Sequence, residues 1–178
     1  TIPINIGFIA SYIKKTYGNK VDITLFKYPE DIINEIKSNP PDVIGLSNYS
    51  WNSNLSEFIA SLAKKQNPNV VTLQGGTNFP HDEETQKTFL LERPATDVFT
   101  ILEGEKSCTN IIGRILESKK DRKKIFEKEI DGCVFIHPDS KNSDNPVFFK
   151  GPISVSYTHL RAHETLMNLV CRLLLEKI

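Results

Sequence analysis

Three short stretches of this chain gather residue types that could bind a ligand. Ser47-Asn48-Tyr49-Ser50-Trp51-Asn52 offers hydroxyls, side-chain amides and two aromatic rings. Gln74-Gly75-Gly76-Thr77-Asn78-Phe79-Pro80 offers paired glycines with a hydroxyl and amides beside them. Glu103-Gly104-Glu105 offers two carboxylates around another glycine. Amides and hydroxyls donate and accept, so they suit a ligand rich in amide groups. Glycine permits close backbone approach or a positive φ, and aromatic rings supply flat apolar walls. Each stretch also has a plain structural reading. Gly75-Gly76 reads as a tight turn, 48–52 as a capped helix start with a packed Trp51, and Glu103 and Glu105 as acids that suit a helix dipole. Their common position in the fold is what favours the functional reading.

That position follows from an alternation of helix and strand. Ile6, Ile9, Ala10 and Ile13 recur at helical spacing, so 4–16 is predicted helical. Val21 to Phe26 alternates and is β-rich, which predicts a strand. Pro29 opens a helix with Ile32, Ile33 and Ile36 on one face, and Pro40-Pro41 ends it. Asp42 to Ser47 is a near-continuous apolar strand, as in a parallel sheet covered on both faces. Ser53 is placed to cap a helix containing Leu55, Phe58, Ile59, Leu62 and Ala63. Val70 to Leu73 predicts the next strand, 82–92 a helix, Asp97 to Leu102 another strand, and 104–118 a helix. This pattern implies a Rossmann-like, doubly wound α/β sheet over 1–118. Each candidate stretch directly follows a strand, where ligands of open parallel sheets bind. A doubly wound domain ordinarily opens on a strand that lies mid-sheet, whereas this chain opens on a helix. The expectation is therefore a sheet missing its first strand, with a gap or distortion there.

The later segments differ. The charge run 119–128 reads as a solvated helix or linker. Ile130 to Ile136 reads as a short strand, and 119–153 together as a linker carrying a small hairpin. In 178 residues there are 22 Lys plus Arg and 22 Asp plus Glu, giving a net charge of zero. Bulk electrostatics thus recruits neither nucleic acid nor an anionic membrane. No apolar run approaches the roughly 20 residues of a spanning helix. Three scattered cysteines, Cys108, Cys133 and Cys171, exclude a disulfide scaffold or CxxC knuckle and point to a reducing, cytoplasmic setting.

The run Ile6-Gly7-Phe8-Ile9-Ala10-Ser11-Tyr12, then Pro41 to Asn52, then Gly75 to Pro80, then Glu103-Gly104-Glu105, resembles the N-terminal cobalamin-binding domain of radical SAM proteins. The resemblance spans about 1–150, and the order and spacing of its four blocks make it specific. It implies that Ser47, Asn48, Tyr49, Trp51 and Asn52 line the corrin face or its amide rim. It implies that Gly75 and Gly76 pass close to the nucleotide tail, with Thr77 and Asn78 beside them, and that Glu103, Gly104 and Glu105 close the other side. It further implies a downstream radical SAM domain of the parent chain, with a 4Fe-4S cluster and S-adenosylmethionine. Thr77 stands where relatives often carry Pro. The DxHxxG loop that ligates cobalt in many cobalamin proteins does not occur, nor does a CxxxCxxC. The chain by itself is therefore expected to hold no cluster and to be inactive alone.

The segment 154–178 resembles the translated read-through of a sequencing adapter and is set aside from the functional reading. Its Leu166, Leu169, Val170, Leu173 and Leu174 still predict an amphipathic helix. Outside it remain 19 basic and 20 acidic residues, so charge neutrality holds. Other chemistry is thinly supported. His159 and His163 have ligand spacing, but Met167 stands where HExxH requires its second His. His81 beside Asp82, Glu83 and Glu84 reads as a solvated helix start, His137 as a turn residue, and Cys108 as a small packed side chain. Two alternatives stay open. One is a stand-alone nucleotide- or sugar-binding enzyme domain with Glu103 or Glu105 as general base; the other is an inert truncated fragment.

Overall fold

The computed structural model describes residues 4–153 and the backbone of 172–176. Helix α1 (Ile4–Tyr17) leads into strand β1 (Asp22–Phe26), α2 (Pro29–Ser38) into β2 (Val43–Ser47), and α3 (Ser53–Gln66) into β3 (Val71–Gly75). Then follow α4 (Glu83–Leu91), β4 (Val98–Thr100), α5 (Gly104–Glu117) and the short α6 (Arg122–Ile125). Strands β5 (Cys133–Ile136), β6 (Phe148–Lys150) and β7 (Arg172–Glu176) complete the order. Local chemistry explains the starts. Pro29 sits in the first turn of α2 with Glu30 and Asp31, which complement the helix dipole. Asp82 caps α4, its carboxylate accepting from the Thr85 N–H at 2.9 Å.

The strands form one mixed sheet in the order β1-β7-β2-β3-β4-β5-β6. Strands β2, β3 and β4 pair in parallel, with Val43 opposite Val71 and Leu73 opposite Val98. β1 and β2 both run antiparallel to β7 and so parallel to each other. No gap is seen there: β7 lies between β1 and β2, the place where a missing strand was expected. The helix expected through Leu173 and Leu174 is instead a strand there. The remainder of that expected helix lies outside the described residues. A short leucine run does not by its periodicity distinguish helix from strand. Two facing strand edges with unpaired N–H and C=O groups decide for the strand.

Alternation along the strands divides the core. Val43, Val71, Leu73 and Val98 face α1 and α5, packing with Ile13, Ile111, Ile112 and Ile115. Ile44 and Leu46 face α2 and α3, against Ile32, Ile36, Ile59 and Ala63. Phe99 turns to α4, stacking on Phe79 at 3.9 Å and meeting Phe89 edge-on at 5.8 Å. Helices on both faces of a largely parallel sheet make the doubly wound Rossmann-like arrangement. β5 and β6 pair antiparallel onto β4, so the hairpin read in 119–153 forms the far edge of the same sheet. Within the charge run, Phe126 is fully buried and Arg122 reaches inward, to Asp97 at 2.9 Å. Asp97 sits just before β4 and also receives Lys64 at 2.7 Å and the Thr72 N–H at 3.0 Å.

Candidate cofactor-binding edge

Because β2, β3 and β4 run parallel, the loops after them emerge on one edge of the sheet. The β2 loop is a tight unit. The Asn52 side chain accepts from the Tyr49 N–H at 2.7 Å and donates to the Ser47 hydroxyl at 3.1 Å. Ser56 donates to the Ser47 carbonyl at 2.8 Å. The residue before α3 is Asn52, not Ser53, and its side chain serves this turn instead of a helix N–H. Asn48 and Asn52 are buried. The turn pushes Trp51 outward to 64% exposure, and its ring stacks on Tyr49 with centroids 4.8 Å apart and planes within 1°. Two parallel rings thus stand as a flat apolar wall on the rim.

The β3 loop is fastened to this unit. Asn48 N–H donates to the Gly75 carbonyl at 2.7 Å, and Asn78 Nδ2 donates to Asn48 Oδ1 at 2.9 Å. Gly76 has φ +143°, and a Cβ there would collide with the Asn48 carbonyl. Its missing side chain is what lets the two backbones touch. Gly76 and Thr77 are exposed and Asn78 is half-buried. The β4 loop forms the other flank. Glu103 precedes α5, with its carboxylate 3.8 Å from Lys106 Nζ, and Gly104 abuts Ile9 of α1. Glu105 lies in the first turn of the same helix.

The structure therefore brings Ser47 to Asn52 together with Gly75 to Asn78. It sets Glu103 to Glu105 at the same edge, built against α1. Within the first group, Tyr49, Trp51, Gly76 and Thr77 are presented outward, while Asn48 and Asn52 hold the loops.

Two features differ from the sequence reading. β4 ends at Thr100, so the strand read through Leu102 is shorter; Leu102 adopts φ +57° and is 72% exposed. A leucine held in left-handed backbone with its side chain in water marks a place where strain is tolerated, and such places cluster at ligand sites. Gln74, read from sequence as the first loop residue after the strand, lies buried inside β3 and bonds to Asn48 and to Thr96. Its signal was available: in Val71-Thr72-Leu73-Gln74, alternate positions are polar inside an otherwise apolar strand.

Elsewhere the chemistry is quieter. A shallow groove between α1 and β1 is lined by Ala10, Ser11, Lys14, Asp22, Ile23 and Leu25, and Lys14 is occupied there by the Val21 carbonyl at 2.7 Å. No group of three His, Cys, Asp or Glu side chains able to hold a metal ion occurs among the described residues. No helix among them is long and apolar enough to cross a membrane. Cys108 and Cys133 are free thiols in the core. Burial pushes the Cys108 thiol up to about 12 and raises Cys133 further. The thiolate is the reactive form, so both are inert in the folded state. In a Cys171→Ser variant, a thiol-specific chromogenic reagent at pH 8 is expected to label neither cysteine until urea unfolds the chain. Prompt labelling without urea would contradict this burial.

A cobalamin-dependent radical SAM methyltransferase, TokK, of Streptomyces tokunonensis is 33% identical over 81 residues, covering 46% of this chain and 12% of that protein. The 2-(S-pantetheinyl)-carbapenam-3-carboxylate methyltransferase of Streptantibioticus cattleyicolor is 32% identical over 72 residues, covering 40% of this chain and 10% of its own length. The match thus spans about a tenth of each of these relatives. The family model described as "B12 binding domain" matches residues 1–112, taking in all three loops and the strands that carry them, and the chain belongs to that family.

Proposed function

We propose that the edge above β2, β3 and β4 holds a cobalamin, and that the chain is the cobalamin-binding module of a larger radical SAM protein of methyltransferase type. In such a protein the 4Fe-4S cluster and S-adenosylmethionine would lie in a downstream domain, in the cytoplasm. The observation that carries this reading is the fastened pair of loops, which puts the exposed Trp51, its ring stacked on the half-buried Tyr49, on the same edge as the exposed Gly76. The donor set fits the group. A corrin is broad and flat with a fringe of amides; the edge offers flat apolar surface in Trp51 and Leu102, and donors and acceptors in Thr77 and Asn78. Bound cobalamin supplies a cobalt centre able to carry a methyl group.

The chain's own residues bind and orient. Trp51 would cover a corrin face and exclude water from it. Gly75 and Gly76 would allow the nucleotide tail to lie against backbone. Asn48 and Asn52 would keep both loops in place before the ligand arrives, which lowers the ordering cost of binding. The alternative of a general base at Glu103 gains nothing from the geometry, since that carboxylate faces Lys106 on the first turn of α5.

The test is direct. Hydroxocobalamin added to the chain is expected to shift its corrin absorbance, quench the emission of the single tryptophan, and co-elute with the protein on gel filtration. Trp51→Ala is expected to weaken binding about tenfold, the equivalent of one good aromatic contact. Corrin that elutes apart from the wild-type chain would refute the assignment.

A further inference from the structure

Behind the rim runs a line of polar groups that the core would ordinarily exclude. Asn78 Nδ2 donates to Asn48 Oδ1 at 2.9 Å, and Asn48 Nδ2 donates to Gln74 Oε1. Gln74 Nε2 donates to Thr96 Oγ1 at 2.6 Å, and the Thr96 hydroxyl donates to Glu57 Oε2 at 2.8 Å. Asn48, Gln74 and Thr96 are at most 1% exposed. The other Glu57 oxygen accepts from the Ala95 N–H at 2.7 Å. Every donor in this line points the same way, from the rim toward Glu57.

A carboxylate only accepts, so its end of the line has one permitted sense. The Thr96 hydrogen must go to Glu57, which leaves the Thr96 oxygen to accept from Gln74. Gln74 must then offer its carbonyl to Asn48, and Asn48 its carbonyl to Asn78. The amide of Asn78 is thereby fixed with its NH2 inward. Among the described residues, none donates to its Oδ1. A buried chain of this kind is stiff, because one reversed member leaves a polar atom unsatisfied in low dielectric.

We propose that Glu57, on α3 and away from the rim, sets the polarity of the Asn78 side chain through this relay. Asn78 thereby presents an acceptor and selects ligand groups that donate N–H, such as peripheral primary amides, over carboxylates. This rests on the cobalamin reading for the identity of the ligand, while the relay itself is a property of the chain alone.

Glu57→Gln tests it with one atom changed. The Ala95 N–H retains the carbonyl oxygen of the new amide, so the new NH2 falls against Thr96. Thr96 must then donate to Gln74, both Gln74 and Asn48 turn over, and Asn78 exposes its NH2. In ¹⁵N-labelled protein without ligand, the Asn78 side-chain NH2 is expected to lose at least tenfold of its protection from hydrogen exchange. The Asn48 and Gln74 amides should stay protected, because they are only reversed. In a Gln74→Met background the same Glu57→Gln change should leave the Asn78 signal where Gln74→Met alone puts it. Loss of protection at all three amides together, or none at Asn78, would overturn the relay.

A second arm reads the ligand. Wild-type protein is expected to bind hydroxocobalamin about tenfold more tightly than a derivative with one peripheral amide hydrolysed to carboxylate, and Glu57→Gln to erase that preference. Equal binding of both corrinoids by wild type would overturn the selectivity. If wild type bound no corrinoid, the cobalamin reading would fall with the selectivity, and the exchange measurement would still decide the relay.

Discussion

Asp97→Asn should unfold the chain at a markedly lower temperature, by about 6–12 °C, for a loss of about 3 kcal/mol. The carboxylate of Asp97 is 6% exposed and takes Lys64 at 2.7 Å and Arg122 at 2.9 Å. It also accepts from the Thr72 N–H at 3.0 Å. Removing one partner of a buried pair leaves the other charges uncompensated, which costs several kcal/mol. Lys64 and Arg122 each keep 23% side-chain exposure and can regain some water, which places the loss at the low end of that range. Burial by itself would raise the Asp97 carboxyl, but Lys64 and then Arg122 outweigh it and hold the group below the usual carboxylate range. A carboxyl depressed in the folded state stabilises fully above its unfolded value of about 3.9 and ceases to as pH falls through the lower folded value. Melting temperature measured from pH 7 down to pH 2 should therefore fall steeply on the acid side for wild type and less so for Asp97→Asn. Lys141 lies close by, donating to the Thr96 carbonyl at 2.7 Å, and burial lowers its pKa. It belongs to the same cluster and should be left unchanged in the comparison. Equal melting temperatures for the two proteins at pH 7 would show that the cluster contributes nothing.

The two ends of the chain explain which parts of this architecture a sequence discloses. Apart from the early end of β4, helix and strand from Ile4 to Glu117 lie where periodicity, Pro29 and Pro40-Pro41 put them, because each element buries one face locally. The shared edge of the loops followed from parallel strand direction alone and required no side-chain detail. β7 was not legible, since its state depends on two distant edges that want partners, a tertiary demand the leucines do not record. Arg122 reads as part of a solvated run because nothing near it in sequence announces Asp97. Among the candidate site residues, Asn48 and Asn52 have the same side-chain chemistry as Asn78, yet they turn inward and fasten loops. Which way such an amide turns is set by its partners: Gln74 of β3 for Asn48, and Ser47 with the Tyr49 N–H for Asn52. The family match of residues 1–112 takes in all four blocks of the resemblance, the first of them in α1 and the others at the ends of β2, β3 and β4.

Those loops set the second large effect. Gly76→Ala is expected to abolish tight hydroxocobalamin binding, weakening it well beyond tenfold, while Gly75→Ala weakens it only modestly. The neighbouring glycines look equivalent in sequence but meet different neighbours. At Gly76 the backbone has φ +143°, a region L-residues avoid, and the new Cβ would strike the peptide of Asn48, including its carbonyl carbon at 3.0 Å and its nitrogen at 3.2 Å. Backbone in that position cannot step aside without breaking the Asn48 N–H bond to Gly75 and the Asn78 bond to Asn48. Such strain costs about 1–3 kcal/mol even before the overlap is counted. At Gly75 the φ is ordinary and the collision is with the hydroxyl of Thr100, a side-chain atom bonded to the Gln74 carbonyl at 3.3 Å. Thr100→Ala removes that obstacle, so it should rescue Gly75→Ala and do nothing for Gly76→Ala. The ligand-free proteins provide an independent check. In Gly76→Ala the loops part and the single tryptophan, Trp51, should become more accessible to acrylamide, whereas in Gly75→Ala its quenching should match wild type. Were both variants to bind and quench alike, close contact between the β2 and β3 loops would not be what organises this edge.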